Sequence, residues 1–163
     1  DSPETPTVEG PYRRLRMALV FIFTSPGIPT VYQGDELGTP GANDPDNRRM
    51  MIFGDALNAF QKETLAFTGR LGKIRGEHPA LRRGTRTTIV VEDELWVWRM
   101  DSGGDSVIIG LNRAPTDAEV PITLGVGEIS LVDLLAGGSI AGAAGVTNAT
   151  VPAEGVAIFT VER

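Results

Sequence analysis

Between residues 12 and 24 the chain opens with one basic, polar turn and is then apolar on nearly every side. A helix with that pattern belongs beneath other elements. Pro11 stands where the helix can begin, since a missing N–H costs nothing in a first turn. Ser25-Pro26-Gly27 ends it. Residues 28–33 have a strand's composition, with Pro29 at its start. Residues 34–54 then run through Gly, Pro, Asn and Asp, a length at which a loop is functional or disordered. Asp55 can cap a second helix. Its apolar stripe is Leu57, Phe60, Thr64, Phe67, Leu71 and Ile74, at helical spacings. Gly69 and Gly72 weaken its middle by about 1 kcal/mol each relative to Ala, and Pro79 stops it.

After Gly84 the period changes from helical to alternating. Strands are predicted over 85–91, 95–100, 106–112, 119–124, 128–134 and 156–161. Turn clusters such as Asp101-Ser102-Gly103-Gly104 separate them. Short strands at this spacing predict an antiparallel sandwich or barrel. Residues 136–150, rich in Gly and Ala, show no clear pattern. The chain therefore reads as α+β in two parts. Residues 1–83 carry two helices and one strand, too few to form a stable domain. Residues 84–163 form an antiparallel β-sandwich.

Composition narrows the partners. The 163 residues carry a net charge of −6, which disfavours nucleic acid and anionic membranes. The longest apolar run, residues 17–23, is too short to span a bilayer. With no Cys there is no disulfide framework, and a single His, His78, excludes a two-histidine metal site. Absence of Cys and of a visible leader points to the cytoplasm, although Asp1, not Met, is the first residue.

The run Gly27-Ile28-Pro29-Thr30-Val31-Tyr32-Gln33-Gly34-Asp35-Glu36-Leu37-Gly38 resembles the eighth barrel strand of α-amylase-family glycoside hydrolases. Asn43-Asp44-Pro45-Asp46-Asn47-Arg48-Arg49-Met50-Met51 is similar to the loop after that strand, most of all in cyclomaltodextrinases, neopullulanases and α-glucosidases. Glu77-His78-Pro79-Ala80-Leu81-Arg82-Arg83-Gly84 resembles the end of the last barrel helix. Many relatives have a second Tyr at Gln33 and Pro at Met50. The resemblance implies the last two helices and last strand of a (β/α)8 barrel in residues 1–83, followed by the C-terminal β domain. It puts the long loop at the barrel face where such enzymes keep their active sites.

Retaining glycosidases need two carboxyl groups about 5–5.5 Å apart. The resemblance places these, and a third carboxylate, before Asp1, so no catalytic residue is expected here. Within the chain, adjacent Asp35 and Glu36 would point apart. Asp44 and Asp46 flank Pro45, and loop Asp more often serves turns. The resemblance makes Glu36 structural and assigns Asp44 and Arg48 to substrate. A carboxylate accepts from two neighbouring hydroxyls, and a guanidinium donates in a planar fork. The bland alternative is a surface ion pair; Arg49 reads as structural.

No metal or cofactor is expected. Asp44, Asp46 and Asp55 fall at EF-hand-like offsets, but Arg49 stands where the loop needs Gly. Trp96 and Trp98 share one strand face; either they are core or they form a platform for sugar rings, and core is the commoner use. His78 reads as a cap for helix-end carbonyls. Asn148-Ala149-Thr150 is a glycosylation sequon by pattern only.

The chain is thus expected to be the C-terminal portion of a retaining α-glucan or maltooligosaccharide hydrolase or transglycosylase, inactive alone. Apolar surface over residues 17–32 would favour self-association. The alternatives are a stand-alone carbohydrate-binding module, which needs exposed tryptophans, and a non-catalytic amylase-like structural subunit.

Overall fold

The computed structural model describes residues 3–143 and 145–163. The chain divides into two compact units, one comprising residues 1–23 and 29–73, the other residues 24–28 and 74–163. Among the described residues no helix is long and apolar enough to cross a membrane.

In the first unit, helix α1 (Glu9–Thr24) starts three residues earlier than the pattern predicts. Glu9 accounts for the extra turn, because Arg13 and Arg16 both donate to its carboxylate and an acid suits a helix N-terminus. Helix α2 (Ala59–Glu77) meets α1 through its N-terminal turns, which lie in this unit. Tyr12 stacks on Phe60 with ring centroids 5.5 Å apart, and Arg16 pairs with Glu63. Asn58, not Asp55, caps α2. Gln61 N–H donates to Asn58 Oδ1 at 2.9 Å, and Asn58 N–H donates to Gln61 Oε1 at 3.1 Å. That reciprocal pair satisfies two donors at once, whereas Asp55 sits in a separate short turn, Gly54–Ala56. The buried stripe of α2 is also more polar than its apolar periodicity implies. Gln61, Thr64 and Thr68 are buried with Leu71, while Phe60 and Phe67 are half-buried. The two threonines tolerate this by donating to the carbonyls of Phe60 and Thr64 one turn back.

Residues 28–33 form no strand. A strand is defined by ladder hydrogen bonds to a neighbour, and among the described residues no segment pairs with these.

In the second unit, the short helix α3 (Ala80–Arg83) leads into eight strands among the described residues. These are β1 (Thr85–Val91), β2 (Leu95–Ser102), β3 (Asp105–Asn112), β4 (Ala118–Thr123), β5 (Ser130–Asp133), β6 (Ser139–Ala141), β7 (Val146–Val151) and β8 (Gly155–Glu162). One antiparallel sheet has the order β1-β2-β3-β8-β5-β6, and β4 pairs with β7 in a second. The six strands read from alternation are all present. The two others lie in the Gly/Ala-rich segment that shows no clear pattern. Pro121 sits mid-strand in β4, at the sheet's free edge, where a missing N–H breaks no ladder bond.

The two sheets face one another across a shared core. Val97, Ile108 and Phe159 come from the large sheet, and Val120, Ile122, Ala149 and Val151 from the small one. Their closest approach depends on Gly110, because a Cβ there would lie 2.5 Å from a Val151 methyl. The large sheet is buried on its other face too. Trp98, Met100, Ile109 and Ile158 alternate with the core residues and are each at most 1% exposed. Helix α3 contacts β2 and β3, and its Ala80 and Leu81 are fully buried.

Candidate functional site

The long loop of the first unit is ordered by its own side chains. Its first turn, Asp35–Leu37, is flanked by Gly34 and Gly38, whose φ of 91° and 68° are left-handed values that favour glycine. Asp35 Oδ2 accepts from Tyr32 N–H at 3.0 Å, and Glu36 Oε2 from Gly34 N–H at 2.9 Å. Both carboxylates therefore hold backbone, which is the structural role expected of Glu36.

The second turn, Asp46–Arg48, sorts four charged residues into two pairs. Arg49 donates to both oxygens of Asp46, at 3.0 and 2.8 Å, and to the Pro3 carbonyl at 2.9 Å. Asp46 also accepts from Ala42 N–H, and the Arg49 carbonyl accepts from Gln33 Nε2. Asp46 and Arg49 thus brace the loop. Asp44 and Arg48 form the other pair, with Arg48 Nε 2.8 Å from Asp44 Oδ1. Their side chains are 61% and 69% exposed, respectively. The turn brings the two residues together and leaves most of their donors and acceptors open to solvent. The pair can accept from and donate to neighbouring hydroxyls.

The loop carboxylates are held in separate roles. Asp44 and Asp46 each face an arginine, and Asp55 lies 3.9 Å from Lys62. Among the described residues no group of three or more His, Asp or Glu is placed to hold a metal ion.

Other residues singled out in the sequence lie in the second unit. His78 does not cap helix-end carbonyls through its ring. Its Nδ1 lies 2.8 Å from Asp105 Oδ1, while Asp105 Oδ2 accepts from Ala80 N–H. The partner arrives from β3, a tertiary contact that local spacing cannot reveal. Trp96 and Trp98 have centroids 4.6 Å apart. Trp98 is 1% exposed and Trp96 half-buried, with the Arg86 guanidinium 5.4 Å from the Trp96 ring centroid. They do not present a two-ring platform to solvent. Trp98 is buried and Trp96 half-buried, on the face opposite the core between the sheets. Asn148 is exposed on β7.

Glu128 and Arg75, two charged groups that the sequence reading passed over, are perturbed. Glu128, 4% exposed at its side chain, is drawn down to about 2 by hydrogen bonds from Arg99, with Gly125 N–H and Arg163 adding to the effect. Arg75 is pushed below the usual guanidinium range by burial and by nearby Arg82. It donates to the carbonyls of Ser25 and Leu81 at 2.9 and 2.7 Å, and to that of Gly27.

No protein-family profile matches the chain. It is 32% identical over 165 residues to a cyclomaltodextrinase of Geobacillus thermopakistaniensis, covering 99% of this chain and 28% of that protein. The α-amylase of Anoxybacillus superposes with a TM-score of 0.82 and 28% identity over 91% of this chain and 32% of its own. The α-amylase from Geobacillus thermoleovorans, solved in complex with acarbose, gives a TM-score of 0.82 and 26% identity over 94% of this chain and 34% of its own. The chain spans about a third of the length of these proteins.

Proposed function

Because this chain belongs to the α-amylase family of glycoside hydrolases and corresponds to the C-terminal region of its members, we propose that it supplies the substrate-binding loop of a retaining α-glucan hydrolase or transglycosylase. Residues 1–83 are the end of the catalytic barrel, and residues 84–163 the C-terminal β domain. Asp44 and Arg48 grip one glucose unit. The supporting observation is the exposure of this pair beside the braced Asp46–Arg49 pair. An exposed ion pair adds little to stability, but its open lone pairs and N–H groups suit vicinal hydroxyls.

Three of the described loop carboxylates are already engaged and do not form an acid/base pair. Asp35 and Glu36 hold backbone N–H groups, and Asp46 is committed to Arg49 and Ala42. Exposed Ile28 and Tyr32, 93% and 51% accessible, support self-association when the chain is alone.

Maltotriose hydrolysis by the 163-residue chain tests the reading. The expected result is no turnover above buffer. Turnover that disappears in Asp44→Asn or Asp46→Asn would overturn it and make those groups catalytic.

A further inference from the structure

The large sheet ends on one side at β1, whose outer edge no strand among the described residues covers. Other edges of the sandwich are guarded. β6, at the far side of the same sheet, is three residues long, and β4 carries Pro121 and the acidic Glu119. β1 is seven residues long and holds no proline, no acid and a single cation, Arg86. Thr85, Arg86, Thr87 and Thr88 are exposed. The Arg86 guanidinium leans inward over the Trp96 ring of β2, so it does not block the edge. An edge of this length and composition is a template for a further strand.

The charges at its two ends select the partner. β1 follows Arg82 and Arg83 of α3 and runs into the turn Glu92-Asp93-Glu94. Arg83, Glu92 and Asp93 are exposed. The strand is therefore basic where it begins and acidic where it stops. A second β1 laid antiparallel sets the acidic turn of each copy beside the basic end of the other, twice over by symmetry. Laid parallel and in register, it would bring like charges together at both ends. This match offsets the general repulsion between copies that each carry a net charge of −6.

Two further features fix the register. β1 pairs evenly with β2 from Thr85 to Thr88 and shifts between Thr88 and Val90, so the regular stretch lies before the shift. A two-fold axis at Arg86 would face one guanidinium with another, which is destabilising. An axis at Thr87 sets Thr87 against Thr87 and each Arg86 against a Thr88, with no like charges opposed.

We propose that the β1 edge is a pairing surface for a second copy of this chain, joining the two large sheets antiparallel through Thr85–Thr88 about an axis at Thr87. The surface lies within residues 74–163 and involves neither Ile28, Tyr32 nor the long loop.

The chain has no Cys, so single cysteines along β1 report the pairing without background. The test uses the 163-residue chain carrying Ile28→Ser and Tyr32→Ser, to remove association through those side chains. With oxidised glutathione, Thr87→Cys should form a disulfide-linked dimer. Arg86→Cys and Thr88→Cys should each give about fivefold less, because their sulfurs would not meet across the axis. In sedimentation, Thr87→Lys should weaken the dimer about tenfold by opposing two ammonium groups, and Thr87→Val should not weaken it. Arg83→Glu and Asp93→Lys should each weaken it, and the double variant should restore it. All these positions are exposed, so the variants leave the core intact. Equal crosslinking at residues 86, 87 and 88, a monomer at every concentration, or a double charge variant weaker than either single one would overturn the proposal.

Discussion

Arg99 of β2 and Glu128, in the connection after β4, form a two-pronged ion pair, with Nη1–Oε2 and Nη2–Oε1 distances of 3.0 and 2.5 Å. Arg99 also donates to Asp101 and Ser106, and Arg163 reaches Glu128 at 3.1 Å. The network ties the second strand, the third strand, the inter-sheet connection and Arg163 together. Arg99 and Glu128 themselves are largely shielded from water, so each needs the other.

The pH dependence of the second unit follows from this pair. Glu128 titrates near its ordinary 4.5 when unfolded and at about 2 when folded. The unfolded state therefore binds more protons between those values, and stability rises with pH across that window. The contribution is fully present above about 4.5 and is lost as pH falls toward about 2. Urea denaturation at several pH values should show Glu128→Gln less stable at neutral pH by about 2–3 kcal/mol and less sensitive to acid. Equal acid sensitivity in variant and parent would refute this assignment.

Asp44 and Arg48 should behave in the opposite way. Alanine at either position is expected to change unfolding free energy by no more than about 1 kcal/mol, as for other exposed pairs. Each should abolish the amide NMR shifts that maltotriose produces at Asp44 and Arg48. Large destabilisation in both variants would mark the pair as structural.

The two tryptophans give a separate check, since the chain has only these two. Trp98→Ala should cost about 3–5 kcal/mol, the range for removing a fully buried large side chain. Trp96→Ala should cost clearly less. In Trp96→Phe the remaining fluorescence should be blue-shifted and poorly quenched by iodide; strong quenching would contradict burial of Trp98.

Asn58→Ala should destabilise the start of α2 by about 1 kcal/mol, and Asn58→Asp should restore most of that. Hydrogen exchange at the first amides of α2 reads the effect. Asp55→Ala, by contrast, should leave those amides unchanged.

Sedimentation at increasing concentration tests self-association. The parent chain is expected to form larger species, and Ile28→Ser with Tyr32→Ser to shift the equilibrium toward monomer. A parent that stays monomeric at all concentrations would rule the proposal out.

The sequence by itself determined whatever depends on local periodicity or short spacing. Alternation from Thr85 onward specified six strands, because successive side chains of a strand point to opposite faces whatever they pack on. The four-residue spacing of Asp44 and Arg48 was enough to bring them together once the loop turned. Tertiary structure decided the rest. The strand pattern at residues 28–33 formed no strand, since pairing needs a neighbour that none of the described residues provides. The strands Ser139–Ala141 and Val146–Val151 formed where composition gave no pattern, because an adjacent β5 and β4 were available to pair with them. The alternation of Trp96 and Trp98 fixed their common face but not which layer would cover it. His78 found Asp105, and Arg99 found Glu128, across 27 and 29 residues of chain. Partners brought together by folding over such separations leave no spacing in the sequence from which they could be read.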